Sequence, residues 1–192
     1  MKNMNKIYEI YKLYCLNDVQ CYIKFEKYNF VYDKSKLMKA QNIYSNIIGI
    51  YPSIEAYPII IKPIINLFGM SRGIKVIKDE DEYENYLMSV PDPSRFWMPF
   101  YNTEDKNHYT IDIVMKEGKI FFSNTFQCIS SSETGIFQKH IYLQEYKLNR
   151  EHILFLEQYL KNYTGCLNIE IIGDFIIEIH LRFNGDNYIY KE

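Results

Sequence analysis

Cysteine is scarce in this sequence, and the four residues present form no motif. Cys15, Cys21, Cys128 and Cys166 include no C-x-x-C pair and no Cys/His spacing that reads as a zinc ribbon. Buried thiols in a reducing compartment are expected instead. A long hydrophobic run is also missing. Residues 57–65 come closest, but Lys62 and two prolines interrupt them, and the run is too short to cross a bilayer. Residues 1–16 mix Lys, Asn, Tyr and Ile without the apolar core of a signal peptide. These absences predict a soluble, cytoplasmic protein with no membrane partner. Nor does one sign of charge dominate: 22 Lys and Arg face 24 Asp and Glu, for a net charge of −2. That balance argues against broad nucleic-acid binding and leaves a local basic patch open. The charged residues, 24% of the chain, are spread along it, which excludes long disorder.

What the chain does have is a core. Its 192 residues are 47% hydrophobic, enough for one domain or two small lobes sharing a core. Nineteen Tyr and twelve Phe accompany abundant Lys, Asn and Ile, the bias of an AT-rich genome, so the aromatic count carries little functional weight.

Residues 4–15 place Ile7, Ile10, Tyr11 and Tyr14 at helical spacing. Residues 19–32, rich in aromatic and β-branched types, read as extended. Asp33 caps a helix through Leu37, Met38, Ile43 and Ile47 that ends near Gly49. Residues 57–61 read as a buried strand and 74–77 as another. Asp79 with Glu82 forms a capping box for a helix over 80–88. Residues 95–101 make an aromatic strand, and 108–115 with 119–126 make a hairpin turning at Glu117-Gly118. Residues 127–135 read as a mobile loop, 149–163 as a capped helix, and 167–172 with 175–182 as a closing hairpin. This order of elements predicts an α+β fold rather than a doubly wound one.

The closing hairpin carries the most chemistry. Strand periodicity puts Glu178, His180 and Arg182 on one face and Ile177, Ile179 and Leu181 on the other. On the preceding strand, Asn168 and Glu170 share a face. Register decides what this means. A strict two-residue turn at Gly173-Asp174 separates the acids, whereas a bulge or longer turn pairs Glu170 with Glu178, Cβ atoms about 5 Å apart. The second register puts both rows of isoleucine on one face and is favoured. Two apposed carboxylates repel unless a cation lies between them, and oxygen ligands suit Mg²⁺. The bland alternative is an ordinary solvated sheet face.

Two lysines suggest an anion. Lys62 ends a buried strand ahead of a glycine-containing loop, Phe68-Gly-Met-Ser-Arg-Gly73, where an ammonium and backbone N–H groups can face phosphate. The segment is not a Walker loop, since it lacks G-K-[ST]. Lys34 opens a helix, where the macrodipole favours anions over cations. Either lysine could equally be solvated. His108 and His140 could join His180 as metal ligands, although no spacing requires it.

In order along the chain, these segments resemble the ATP-grasp superfamily. The matching residues are Tyr32-Asp33-Lys34, Tyr57 to Pro63, Gly69 to Gly73, Phe96 to Phe100, His108 to Asp112, Glu170, and Glu178 to Arg182, spanning residues 29–183. The chain is also similar to small ATP-grasp-like proteins of viruses and phages. The resemblance implies two small α+β lobes with mainly antiparallel sheets around a nucleotide cleft. Residues 1–30 would be an N-terminal remnant segment and 31–192 the ATP-grasp-like domain, with a small lobe over about 50–100 and the large-lobe sheet over about 101–192. The implied cofactors are ATP and Mg²⁺. Lys34, Lys62, Gly69, Ser71, Arg72 and Gly73 would meet the phosphates, and the backbone near Trp97 and Met98 would meet adenine. His108 would complete the nucleotide set. Glu170 and Glu178 would hold the metal, and His180 and Arg182 would be catalytic. His180 stands where the family usually has Asn. The implied activity is ligation: a carboxylate is activated as an acyl phosphate and transferred to an amine or thiol. The partner would be a small-molecule or peptide substrate, with homo-oligomerisation left open. The alternative is a nucleotide-binding viral accessory or interaction protein with a degenerate catalytic site.

Overall fold

The computed structural model describes residues 16–68, 73–89, 92–101, 107–130, 137–143 and 148–184. The predicted helix over 4–15 lies outside them.

The first helix, α1 (Asp18–Lys24), starts at a capping box. The Asn17 side chain accepts from the Gln20 N–H at 2.9 Å, and the Gln20 side chain accepts from the Asn17 N–H at 2.9 Å. A 3₁₀ helix over Glu26–Tyr32 follows. The extended reading of residues 19–32 is therefore wrong: reciprocal capping and packing of Cys21, Val31 and Tyr32 into the main core outweigh weak β propensity.

Helix α2 (Lys34–Ala40) is capped by Asp33, whose side chain accepts from the Lys36 N–H at 3.0 Å. It stops well short of Gly49. Asn42 takes φ +57°, and the Gln41 amide turns to the strand Phe175–His180, donating to the Ile176 carbonyl at 2.7 Å and accepting from the Ile176 N–H at 2.9 Å. A tertiary partner thus ends the helix where periodicity alone would continue it.

A four-stranded antiparallel sheet has the order β1-β4-β2-β3, from β1 (Asn46–Ile47), β2 (Ile59–Pro63), β3 (Lys75–Ile77) and β4 (Arg95–Pro99). Helix α3 (Glu80–Ser89) lies between β3 and β4 in sequence. Its Tyr83 and Tyr86 join Ile59, Ile61, Ile77 and Trp97 in a separate small core. The other face of this sheet, with Phe96 and Met98, belongs to the main core.

The second sheet, order β7-β6-β5-β8-β9, is also antiparallel: β5 (His108–Lys116), β6 (Lys119–Ser130), β7 (Phe137–Leu143), β8 (Gly165–Ile172) and β9 (Phe175–His180). At the β5–β6 turn Glu117 and Gly118 have φ +51° and +78°, as a two-residue turn with both central φ positive requires. The loop reading of 127–135 is corrected for residues 127–130, and 131–135 lie outside the described residues. Strand β6 runs on through Ser130 and pairs with β7, Cys128 opposite His140, so cross-strand partners recruit a polar stretch into the sheet. Helix α4 (Arg150–Tyr159), capped by Asn149, ends at Leu160, and Asn162 at φ +66° turns the chain before Tyr163.

The closing hairpin adopts the bulged register. Glu170 pairs with Glu178 and Ile169 with Ile179, while the shift to Ile171–Ile176 leaves Ile177 as the extra residue. Ile169, Ile171, Ile176, Ile177 and Ile179 are all buried in the main core. Each such side chain contributes about 1.5–3 kcal/mol. Repulsion between two carboxylates near 4 Å is about 1–4 kcal/mol between bulk water and a protein surface. Isoleucine burial therefore sets the register and forces the acids together. Among the described residues no helix is long and apolar enough to cross a membrane. The architecture is the α+β one expected.

Candidate functional site

Lys34 and Lys62 are 28 positions apart and come together through the backbone. The Lys34 N–H donates to the Ile64 carbonyl at 2.9 Å, tying the start of α2 to the end of β2. Lys62 pairs with Phe96 and shares the sheet face that carries Met98, turned toward the main body. Both ammonium groups reach the acid face of the β8–β9 hairpin, but their situations differ. Lys34 forms an ion pair with Glu178 Oε1, with side chains 7% and 16% exposed. Lys62 is 7% exposed and has no hydrogen-bond or ion-pair partner among the described residues. Burial lowers its pKa, partly offset by attraction to Glu178 and Glu170, and nearby Lys34 lowers it further.

Glu178 is the hub. Burial would raise its carboxyl, but Lys34, the hydrogen bond to His180 and Lys62 hold it well below the usual carboxylate range. His180 Nε2 lies 3.3 Å from Glu178 Oε2, and His180 Nδ1 lies 3.1 Å from Asp18 Oδ1. Burial would lower the His180 pKa; hydrogen bonds to the two carboxylates overcome this and raise it to about 9. A ring protonated on both nitrogens would donate to both carboxylates. Asp18 is buried, which alone would raise its pKa, yet His180 and Arg182 hold it below its usual value. Arg182 donates to Asp18 Oδ2 from Nε at 2.8 Å and from Nη2 at 2.6 Å, and its Nη1 donates to the Phe183 carbonyl at 2.9 Å. The Tyr32 hydroxyl donates to Asp18 Oδ1 at 3.4 Å and accepts from the Leu181 N–H at 3.1 Å.

Glu170, opposite Glu178, also lies 3.7 Å from His108 Nε2. Ligand atoms of Glu170, Glu178 and His180 all fall within 4.8 Å of one another. Both His180 nitrogens already face carboxylates, so the oxygen donors of the group are the two glutamates, which fit a hard cation such as Mg²⁺. Beside them, Thr110 bonds Asn168, and Asn168 Nδ2 and the Asn184 N–H both donate to Asp112 Oδ1 at 2.9 Å.

Of the residues expected at the site, Lys34, Lys62, Glu170, Glu178, His180 and His108 lie in this neighbourhood. Arg182 is drawn to Asp18. Met98 lies on the Lys62 face, whereas the Trp97 indole points to the small core and donates to the Ile50 carbonyl at 2.7 Å. Gly69, Ser71 and Arg72 fall outside the described residues. The Gly73 carbonyl accepts from Arg95 Nη1. Sequence reasoning missed Asp18 and Tyr32. The signal available was the capping pair Asn17 and Gln20, which marks a helix start and makes Asp18 its first residue.

No family model matches the chain, and no curated protein matches it in sequence. Solved structures do match it in fold. They include an N5-carboxyaminoimidazole synthetase from Staphylococcus aureus complexed with ADP (TM-score 0.61, 13% identity, 81% of this chain and 46% of that one). A carboxyaminoimidazole ribonucleotide synthase from Aspergillus clavatus complexed with ATP matches at TM-score 0.57 and 12% identity, over 82% and 46%. The biotin carboxylase domain of Hydrogenobacter thermophilus 2-oxoglutarate carboxylase, in complex with MgADP and bicarbonate, matches at 0.55 and 17%, over 83% and 42%. The chain thus spans less than half the length of these structures. In fold, it resembles ATP-grasp enzymes, as its motifs imply.

Proposed function

We propose that the chain binds Mg·ATP between the end of β2 and the β8–β9 hairpin and uses it, as a ligase-type enzyme, to activate a carboxylate for transfer to an amine or thiol. The observation that carries this reading is Lys62: a buried ammonium with no partner among the described residues, beside two paired carboxylates. A buried ammonium with no hydrogen-bond partner is costly even near two carboxylates, and a phosphate oxygen would compensate it. Bound Mg²⁺ would supply charge neutralisation at the phosphoryl group. Glu170 and Glu178 would hold the ion, and Lys62 and Lys34 would hold phosphate oxygens. In the reaction, a substrate carboxylate oxygen bonds to the γ-phosphorus as the bond to ADP breaks. The amine or thiol then displaces inorganic phosphate from the acyl carbon. The binding of ATP, ADP and MgADP by the structural relatives supports the nucleotide half of this reading.

A second reading, nucleotide binding without turnover, is favoured by one feature. Arg182, expected to be catalytic, is engaged by Asp18 and the Phe183 carbonyl. Calorimetric titration with Mg·ATP, followed by phosphate-release assays with candidate carboxylates and amines, separates the two. Glu178→Gln should weaken Mg·ATP about ten- to a hundredfold, chiefly when Mg²⁺ is present, because a charge-assisted contact is worth about 1.5–3 kcal/mol. Wild-type protein that binds no Mg·ATP would remove both readings.

A further inference from the structure

Asp18 has no part in the reading above, yet it is buried and accepts from His180, Arg182 and Tyr32. Its consequence lies one residue further, at Glu178. That carboxylate has two oxygens, and both are taken: Oε1 by Lys34 and Oε2 by His180. A cation arriving at Glu178 meets the positive charge already held there, and like-charge repulsion favours the release of one holder. The two holders differ in freedom. His180 is anchored through its other nitrogen to Asp18, which Arg182 and Tyr32 clamp in turn. Lys34 hangs on a flexible four-carbon stem and has no second side-chain partner among the described residues. Beside it stands Lys62, with no partner of its own.

We propose that Asp18 is a positioning residue of this site: by fixing His180 on Oε2, it leaves Lys34 as the partner that Glu178 releases, so that the divalent cation and the phosphates load together. The inference rests on the Mg·ATP reading. The exchange leaves no charged group without a partner, because the cation replaces the ammonium at Oε1 and the ammonium moves to a phosphate oxygen. Metal alone would strand the Lys34 ammonium. Phosphate alone would strand the Glu178 carboxylate. Removing one partner of a buried pair is strongly unfavourable. Linkage then requires that each ligand raise the affinity of the other by the same factor.

The test is calorimetric titration of the full chain with MgCl₂ alone, with ATP in a chelator, and with both, corrected for Mg²⁺–ATP association in solution. In the wild type, Mg²⁺ should bind at least tenfold more weakly alone than with ATP. Asp18→Asn should loosen His180, raise the affinity for Mg²⁺ alone about tenfold and shrink the coupling. A merely structural role would instead lower stability and every affinity together. If Asp18→Asn fails to fold, the imidazole nitrogen NMR signals of His180 in the wild type, assigned with His180→Gln, decide the matter. Signals unchanged by Mg·ATP support the inference, and a shift to the metal-bound range overturns it. Mg²⁺ binding as tightly alone as with ATP overturns it while leaving the nucleotide reading intact. No binding of Mg·ATP overturns both.

Discussion

Lys34 and Lys62 place two buried ammonium groups against one pair of carboxylates, from two different parts of the chain. At the start of α2 the charge is answered from within the protein, by Glu178. At the end of β2 no described residue makes a hydrogen bond or ion pair with it, and the attraction of Glu178 and Glu170 acts from further away. The same residue type has an ion-pair partner in one region and none among the described residues in the other. Burial alone would not distinguish them, since both are below one tenth exposed. What distinguishes them is whether the fold supplies a partner.

Breaking the Lys34 side of this comparison should have the largest effect. Lys34→Met leaves the buried Glu178 carboxylate without its main counter-ion and should cost about 3–5 kcal/mol, read as a shift in urea unfolding. Lys62→Met should do the reverse. Removing a buried ammonium without a partner should leave the unfolding midpoint unchanged or raised, while Mg·ATP affinity falls at least tenfold, as about 1.5–3 kcal/mol per charge-assisted contact implies. Loss of stability in Lys62→Met would mean that its charge is structural after all.

A smaller effect separates the imidazolium from the lysines. The folded pKa of His180, about 9, lies above its ordinary value of 6.5, so its contribution is complete below pH 6.5 and is lost as pH rises toward 9. Thermal melts of the wild type should decline across that window, and His180→Gln should lack the slope. A flat wild-type profile would show that Asp18 and Glu178 do not hold the ring charged. The smallest effect belongs to Lys36, which pairs with Asp33 at 3.2 Å from an exposed position. Lys36→Ala should change stability by no more than about 0.5 kcal/mol, against which the Lys34 result can be judged.

The strands of the closing hairpin and the pairing of its acids were legible because apolar alternation is a local signal with a global penalty: a slip there would expose a row of isoleucines. The end of α2 was not legible. Periodicity continues past Ala40, but Gln41 finds Ile176, 135 positions away. Strand β7 was hidden for the same reason, since its partner β6 makes it a strand. Asp18 was hidden twice, inside a segment read as extended and opposite residues more than 160 positions later.

By itself, the sequence determined the α+β class and favoured the register that faces Glu170 with Glu178, because alternation and burial carry both; the bulge that delivers this register lies at Ile177. The tertiary structure alone decided which charges are spent. Lys34 goes to Glu178, Arg182 goes to Asp18, His180 is shared between two carboxylates, and Lys62 is left over. Ion pairing depends on a few ångströms between distant elements, and a pattern along the chain carries no information about that distance until the core has brought those elements together.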